Sequence, residues 1–337
     1  MSVINRKPGG AGKDFSKYFD ERRSVIERKL SDTLKLVSDS PLRPYIKYVF
    51  SMGGKRIRPL LSTLSADAVG KYNDDVLHGA VAIEILHNFT LVHDDIMDNA
   101  DTRRGKATVH INAGVNTAIL VGDLMMALAY DCLEKCGEKH LRAGLKIFNE
   151  GVEQVCDGQA LDESLSKEDG ATMKDYIEMI SKKTGALLMT AGQLGALFGG
   201  GAEKEVIMLG DFGLNLGIAF QILDDTLDLE GDVDRFGKPL GLDIIEKKKN
   251  FLFLKAQQLM NAHEFESVSG VYRNSSVTEA EVVAVRDIYR EAGVVEAARI
   301  EVTNYTNCAL LSLKTLKESD GKDALVELAN SLVQRKF

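Results

Sequence analysis

The sequence predicts an all-α fold, one large helical bundle around a deep central cavity. Three observations lead there. Proline is absent from residues 60 to 238; the five prolines are Pro8, Pro41, Pro44, Pro59 and Pro239. So long a gap suits long helices better than a succession of strands and turns. Two segments, 79–98 and 205–229, are apolar on almost every face, as helices in the middle of a bundle are. No run shows the alternating pattern of a half-buried strand.

Along the chain, residues 1–16 read as a flexible leader. They carry Gly, Lys and Asp and no apolar core of a signal peptide. Residues 17–337 read as one helical domain, with no linker inside it. Residues 18–38 form an amphipathic helix. Gly53-Gly54-Lys55-Arg56-Ile57-Arg58-Pro59 reads as a basic, glycine-hinged loop, and Gly70-Lys71-Tyr72-Asn73-Asp74 as a turn. Helices follow over 79–98, 114–136, 141–164, 172–197 and 205–229, with a turn at Gly199-Gly200-Gly201. Gly231 through Gly241 is a loop, and helices at 277–297 and 299–315 close the bundle. No repeat of solenoid period is present.

Composition narrows the function. The chain has 337 residues, 45% of them apolar and 27% charged, with a net charge of −8. Such a balance argues against a nucleic-acid partner. No stretch approaches 18 uninterrupted apolar residues, so no membrane span is expected. Cys132, Cys136, Cys156 and Cys308 form no CxxC pair. Cys132 and Cys136 lie a turn apart, but no histidine nearby completes a metal site, so they read as helix thiols in a cytoplasmic, reduced protein.

The chemistry is concentrated in two acidic clusters. Asp94-Asp95-Ile96-Met97-Asp98 and Asp224-Asp225-Thr226-Leu227-Asp228 share one spacing, and each ends one of the two most apolar helices. Residues four apart differ by about 40° around a helix and about 6 Å along it, so Asp94 and Asp98 share a face, as do Asp224 and Asp228. Three carboxylates on one turn beside an apolar core repel each other and call for cations. Oxygen ligands of this kind suit a hard ion, Mg2+ above all. A single cluster would pass for a solvated helix end; two matching clusters inside apolar helices do not. Glu84-x-x-His87 is the ligand pair of di-iron bundles, but such sites need the pair twice, and it occurs once.

Carboxylates with magnesium imply a polyanionic substrate, and cations come in matching groups. Lys55 and Arg58 sit beside Gly53-Gly54, Arg103-Arg104-Gly105 follows the first acidic cluster, and Lys182-Lys183-Thr184-Gly185 lies mid-chain. Gly237-Lys238-Pro239 and Lys247-Lys248-Lys249 follow the second cluster. Arginine grips phosphate through paired hydrogen bonds, and lysine acts as a point charge. Gly-Gly-Lys here is not a P-loop, since the GxxxxGK[ST] spacing is missing. His87 precedes Asp94 by two helical turns and faces the same side.

Taken in order, GGKRIRP at 53, HNFTLVHDDIMD at 87, DTRRGKATVH at 101, KTG at 183, FQILDDTLD at 220 and GKPLGLD at 237 resemble the trans-isoprenyl diphosphate synthases, or polyprenyl synthetases. The resemblance runs from about residue 40 to about 250. It implies a homodimeric all-α prenyltransferase that joins isopentenyl diphosphate to an allylic diphosphate. It implies that Asp94, Asp95, Asp98, Asp224, Asp225 and Asp228 hold about three Mg2+ ions, with Asp94, Asp98 and Asp224 as direct ligands. Arg103, Lys183, Lys238 and Lys248 would bind the allylic diphosphate. Lys55, Arg58, His87 and Arg104 would bind isopentenyl diphosphate. Thr184 and Gln221 would line the cavity where the allylic carbon becomes positive, and Asp228, Lys183 and Lys238 complete the catalytic set. One departure is visible: the family's EGKxTxP is replaced by Glu246-Lys247-Lys248-Lys249-Asn250-Phe251-Leu252.

In this family the position five residues before the first aspartate forms the floor of the growing-chain pocket. Here it is Phe89, and the aspartate cluster carries no two-residue insertion, a combination resembling archaeal-type geranylgeranyl diphosphate synthases. The expected product is therefore C20, with C15 as the alternative. A class I terpene cyclase would lack the second diphosphate site that Lys55, Arg58 and Arg104 suggest. A non-catalytic partner subunit would lose aspartates, and all six are present. Squalene-type synthases lack GGKRxRP.

Overall fold

The computed structural model describes residues 15–37, 39–167, 170–230 and 241–333. Its element order is α1 (Ser16–Thr33), α2 (Arg43–Ser51), α3 (Ile57–Val69), α4 (Asp74–Met97), a two-stranded hairpin, α5 (Val109–Ala113), α6 (Val115–Glu134), α7 (Glu138–Lys167), α8 (Met173–Ile180), a π-helical turn (Ser181–Gly185), α9 (Ala186–Phe198) and α10 (Glu203–Glu230). Further helices span Leu242–Ile245, Phe251–Leu259, Ala262–Arg273, Glu279–Glu291, Val294–Ser312 and Asp320–Val333. The chain is all-α, as expected.

Residues 1–14 of the expected leader lie outside the described residues, and Ser16 already opens α1. α4 begins five residues before its expected start at 79. Asn73, read as part of a turn, caps it by accepting from the Val76 amide at 3.0 Å, and Asp74 and Asp75 fill the first turn, where the helix dipole favours them. The helix expected over 172–197 is interrupted by the π turn. The break expected between 297 and 299 falls instead at Gly293, whose φ of 72° ends one helix and starts the next.

The hairpin pairs Thr102 with Ala107 and Arg103 with Lys106. Arg104 (φ 53°) and Gly105 (φ 73°) make its two-residue turn, and positive φ at both positions is the type I′ geometry. Tyr48 Oη donates to Ala107 O at 2.7 Å and Lys106 Nζ to Ser51 O at 3.1 Å, which fixes the hairpin against the end of α2.

Two hydrophobic cores lie along the molecule. One gathers α1–α4, α6, α9, the first half of α10 and the helix Asp320–Val333; the other gathers α8, the second half of α10 and the helices from Phe251 to Val302. α10 runs through both. Leu216 belongs to the first and Ile218, Ile222 and Leu223 to the second, so Asp224 follows the changeover. α4, α6 and α10 are long and apolar enough to cross a membrane, contrary to the expectation drawn from uninterrupted runs. α4 and α10 turn 67% and 61% of their most apolar stretches into the protein, α6 only 39%.

Candidate active site

A cavity of about 770 Å³ opens between the end of α4, the hairpin, the π turn and α10. On one wall stand Asp94 and Asp98, one turn apart at the end of α4; on the other stands Asp224. These are the three expected direct ligands. Burial holds the Asp94 carboxyl up at about 6; Lys183 pulls it down and Asp98 pushes it further up. Among the described residues, no three His, Cys, Asp or Glu side chains converge into a ready-made metal cage. An open set of carboxylates is still what a magnesium ion needs, since it keeps waters and phosphate oxygens in most of its shell.

The middle aspartate of each cluster is held by protein partners. Asp95 is buried and bound by Arg103 Nε at 2.6 Å, so it aims that arginine along the cavity wall. Asp225 is buried and accepts from Tyr176 Oη at 2.6 Å, Gln221 Nε2 at 2.9 Å and the Phe251 amide at 3.2 Å. Burial raises its pKa, with Asp243 adding to the rise and those three donors opposing it. Neither lines the large cavity, although Asp225 lines the smaller hollow beside it, with Asp224 and Asp228.

A smaller hollow of about 240 Å³ adjoins the first and shares Lys183, Thr184, Gln221, Asp224 and Lys248 with it. Asp228 lines this one, and its carboxylate accepts from the Asp243 amide at 3.0 Å. Lys183 pairs with Asp162, and Thr184 Oγ1 donates to Gln221 Oε1 at 2.9 Å. Lys248 pairs with Glu246 at 2.7 Å and reaches both hollows, so the altered EKKKNFL segment still delivers a lysine there. Lys238 lies outside the described residues.

The second cationic group sits opposite. Lys55, Arg58, His87 and Arg104 all line the large cavity. Burial pushes Arg58 down to about 10, with Glu84 opposing and Arg104 adding, so it stays charged near neutrality. Burial, then the nearby arginines Arg58 and Arg104, hold His87 well below the usual range; it is neutral at pH 7. The loop that carries Lys55 is clamped from two sides. Arg104 donates to Gly53 O. Arg56 is buried at φ 50°, with Nε on Glu27 at 2.6 Å and Nη1 on Glu84 at 2.7 Å. Asn88 Nδ2 also donates to Glu84 at 3.0 Å.

Phe89 is half-buried beside the first core, its ring edge-on to His93 at 4.6 Å. The apolar wall of the cavity runs through Thr90, Leu91, Leu187 and Phe220, and Phe89 is not part of it.

Sequence reasoning missed Asp162, Tyr176 and Asp243, and took Glu84 only as half of a discarded di-iron pair. Asp243 was within reach, as the last residue of GKPLGLD. Asp162 and Tyr176 stand alone in helices with no motif around them, and only the packing of α7 and α8 brings them to the site.

The polyprenyl synthetase family model matches residues 39–289. The chain is 36% identical over 329 residues to a geranylgeranyl diphosphate synthase of Sulfolobus acidocaldarius, covering 95% of this chain and 99% of that one. It is 35% identical over 322 residues to a short chain isoprenyl diphosphate synthase of Methanothermobacter thermautotrophicus, covering 95% and 96%. The crystal structure of a geranylgeranyl pyrophosphate synthetase from Pyrococcus horikoshii superposes with a TM-score of 0.89 at 32% identity, covering 95% of this chain and 98% of that one.

Proposed function

The chain belongs to the polyprenyl synthetase family and is a prenyltransferase, and from that premise we propose that it condenses isopentenyl diphosphate with allylic diphosphates to give geranylgeranyl diphosphate (C20). The observation that carries this reading is one cavity with facing carboxylates, Asp94 and Asp98 against Asp224, between two separate sets of cations. Relatives named geranylgeranyl diphosphate synthase favour C20 over the C15 alternative.

In this reading the allylic diphosphate lies between the two acidic walls, held by Arg103, Lys183 and Lys248, with Lys238 assigned from the motif alone. The oxygen-only donors fit magnesium, which would supply positive charge to the departing diphosphate. Asp95 aims Arg103 at that group. Loss of the diphosphate leaves a positive allylic carbon beside Thr184 and Gln221, whose oxygens and dipoles stabilise it. Isopentenyl diphosphate sits on Lys55, Arg58, His87 and Arg104, and its double bond attacks the cation. Proton loss to the released diphosphate completes the step. No protein nucleophile is needed. Residues 17–337 act as one domain, in the cytoplasm, as a homodimer; the exposed apolar side chains of α5 and α6 support the dimer.

The test is incubation with labelled isopentenyl diphosphate and each allylic primer, followed by sizing of the products. C20 is expected; C15 or longer chains would overturn the product assignment, and no elongation the function. Excess chelator should abolish turnover. Asp94→Ala or Asp224→Ala should lower it by roughly a thousandfold or more, since each removes charge aimed at the transition state. The melting temperature of Asp94→Ala should hold, because burial and the neighbouring carboxylates Asp98 and Asp95 oppose its charge in the metal-free protein. Full activity in chelator would exclude the mechanism.

A further inference from the structure

Lys183 and Thr184 ride on the π turn Ser181–Gly185. A π turn loses the regular hydrogen-bond ladder of the helix around it, so its neighbours must hold it in place. Two glycines meet it from opposite sides. A Cβ on Gly158 of α7 would stand 2.3 Å from the Lys183 nitrogen and 2.7 Å from its Cα. A Cβ on Gly217 of α10 would stand 2.7 Å from the Cα of Gly185.

Four residues beyond each glycine, on the same helix face, comes an acceptor for one of the two side chains. Asp162 follows Gly158 and takes the Lys183 ammonium; Gln221 follows Gly217 and takes the Thr184 hydroxyl at 2.9 Å. Each flanking helix thus offers the π turn a bare stretch of backbone and, a turn on, a polar group. Gly144 and Gly151 stand on the same face of α7, but their added methyls would meet the side chains of Phe198 and Thr190, not main chain.

We propose that Gly158 and Gly217 are positioning residues for the reaction: they set the backbone of the π turn so that Lys183 and Thr184 stand where the allylic diphosphate ionises. The inference rests on the function proposed above. A methyl at either position cannot be absorbed by a flexible side chain, so the π turn must move, and displacements of about 1 Å at a reacting centre cost on the order of a hundredfold.

The experiment begins with the wild-type chain. If it elongates no allylic primer, the function itself fails. If it does, Gly158→Ala and Gly217→Ala should raise KM for the primer or lower kcat by about tenfold or more, while KM for isopentenyl diphosphate stays within about threefold. Gly192→Ala is the control. Its methyl would stand 2.2 Å from Leu209 O, an equally tight contact that touches no site residue, so it should lower Tm and leave the ratio of the two KM values unchanged. Should the first two variants fail to fold, Gly185→Ala remains. Its methyl would press at 2.8 Å on the tip of the Leu214 side chain, which can give way, so a methyl on the π turn that presses on no backbone should leave the ratio of the two KM values within about threefold of wild type. Variants that track Gly192→Ala, or a Gly185→Ala enzyme whose KM ratio shifts by about tenfold, would overturn the inference.

Discussion

At the scale of single residues, the cations of the cavity differ in how far carboxylate partners already hold them. Arg56, Arg58 and Arg104 all line the cavity, but the Arg56 guanidinium is taken up by Glu27 and Glu84. In the proposed reading, Arg58 and Arg104 serve the isopentenyl diphosphate site and Lys183 the primer site. Arg58→Ala and Arg104→Ala each remove one charge-assisted phosphate contact, a loss of roughly 1.5–3 kcal/mol, or about tenfold to a hundredfold in KM for isopentenyl diphosphate. Lys183→Ala should act chiefly on the primer. Steady-state kinetics with each substrate varied in turn decides it; equal effects of all three on both substrates would refute the two-site assignment. Glu84 is the partner to watch in any such series. Removing it leaves the buried Arg56 with Glu27 as its one carboxylate partner, and breaking a buried pair from one side costs up to roughly 3–5 kcal/mol, so its variants will confound binding with stability.

At the scale of the element, α4 carries three functions on one rod. Its inner face presents His87 and Asp94 to the cavity, its buried face packs the first core, and Phe89 with His93 turns toward α6, where His93 contacts Ile119 O at 3.3 Å. The proposed pocket floor is on that third face, outside the cavity wall. If Phe89 closes the path of the growing chain, Phe89→Ala should open a route between α4 and α6 and lengthen the products by one isoprene unit or more. Ionisation should survive, because Phe89 lies more than a helical turn from Asp94. If Phe89 serves packing alone, product length will not change and stability will fall by roughly 3–5 kcal/mol. A product-size distribution read beside a thermal melt separates the two, and unchanged products with a lower Tm would remove the floor assignment.

At the scale of the whole molecule, large apolar side chains stand exposed along α5 and α6. Ile111, Val115 and Ile119, spaced four residues apart through α5 and α6, are 52%, 47% and 41% exposed, with Leu120 beside them at 53%. Val115 and Ile119 lie one turn apart on α6, and Ile111 precedes them on α5 across the break at Gly114; exposed apolar side chains gathered like this are normally buried against something. The homodimer proposed above would cover them with a second copy. Ile119→Lys with Leu120→Lys should then give a monomer in sedimentation velocity, with unchanged helicity by circular dichroism. A double variant that sediments as the wild type would place the interface elsewhere or remove it. The thiols report on the same protomer. Burial raises Cys132 to about 11 and Cys136 to about 12, so alkylation of the native protein near pH 8 should spare both and reach exposed Cys308.

The sequence by itself determined the helical class, the two acidic clusters and the order of the basic groups. Each is a local property: proline spacing, residues four apart on a helix, glycines beside cations. Those patterns singled out the aspartates and the basic groups, and the resemblance they carry supplied the roles proposed for them; the structure brings Asp94, Asp98, Asp224, Lys55, Arg58, His87 and Arg104 to one cavity. Tertiary structure alone decided which way the middle aspartates turn, because Asp95 and Asp225 sit on the buried side of their helices and answer to partners that arrive from the hairpin, α8 and the Phe251 amide. It also decided the break in the helix expected over 172–197. Nothing in Ser181–Gly185 announces a π turn; it is visible only where Gly158 and Gly217 leave room for its backbone. Contacts between residues far apart in the chain carry no local periodicity, and so cannot be read until the helices are packed.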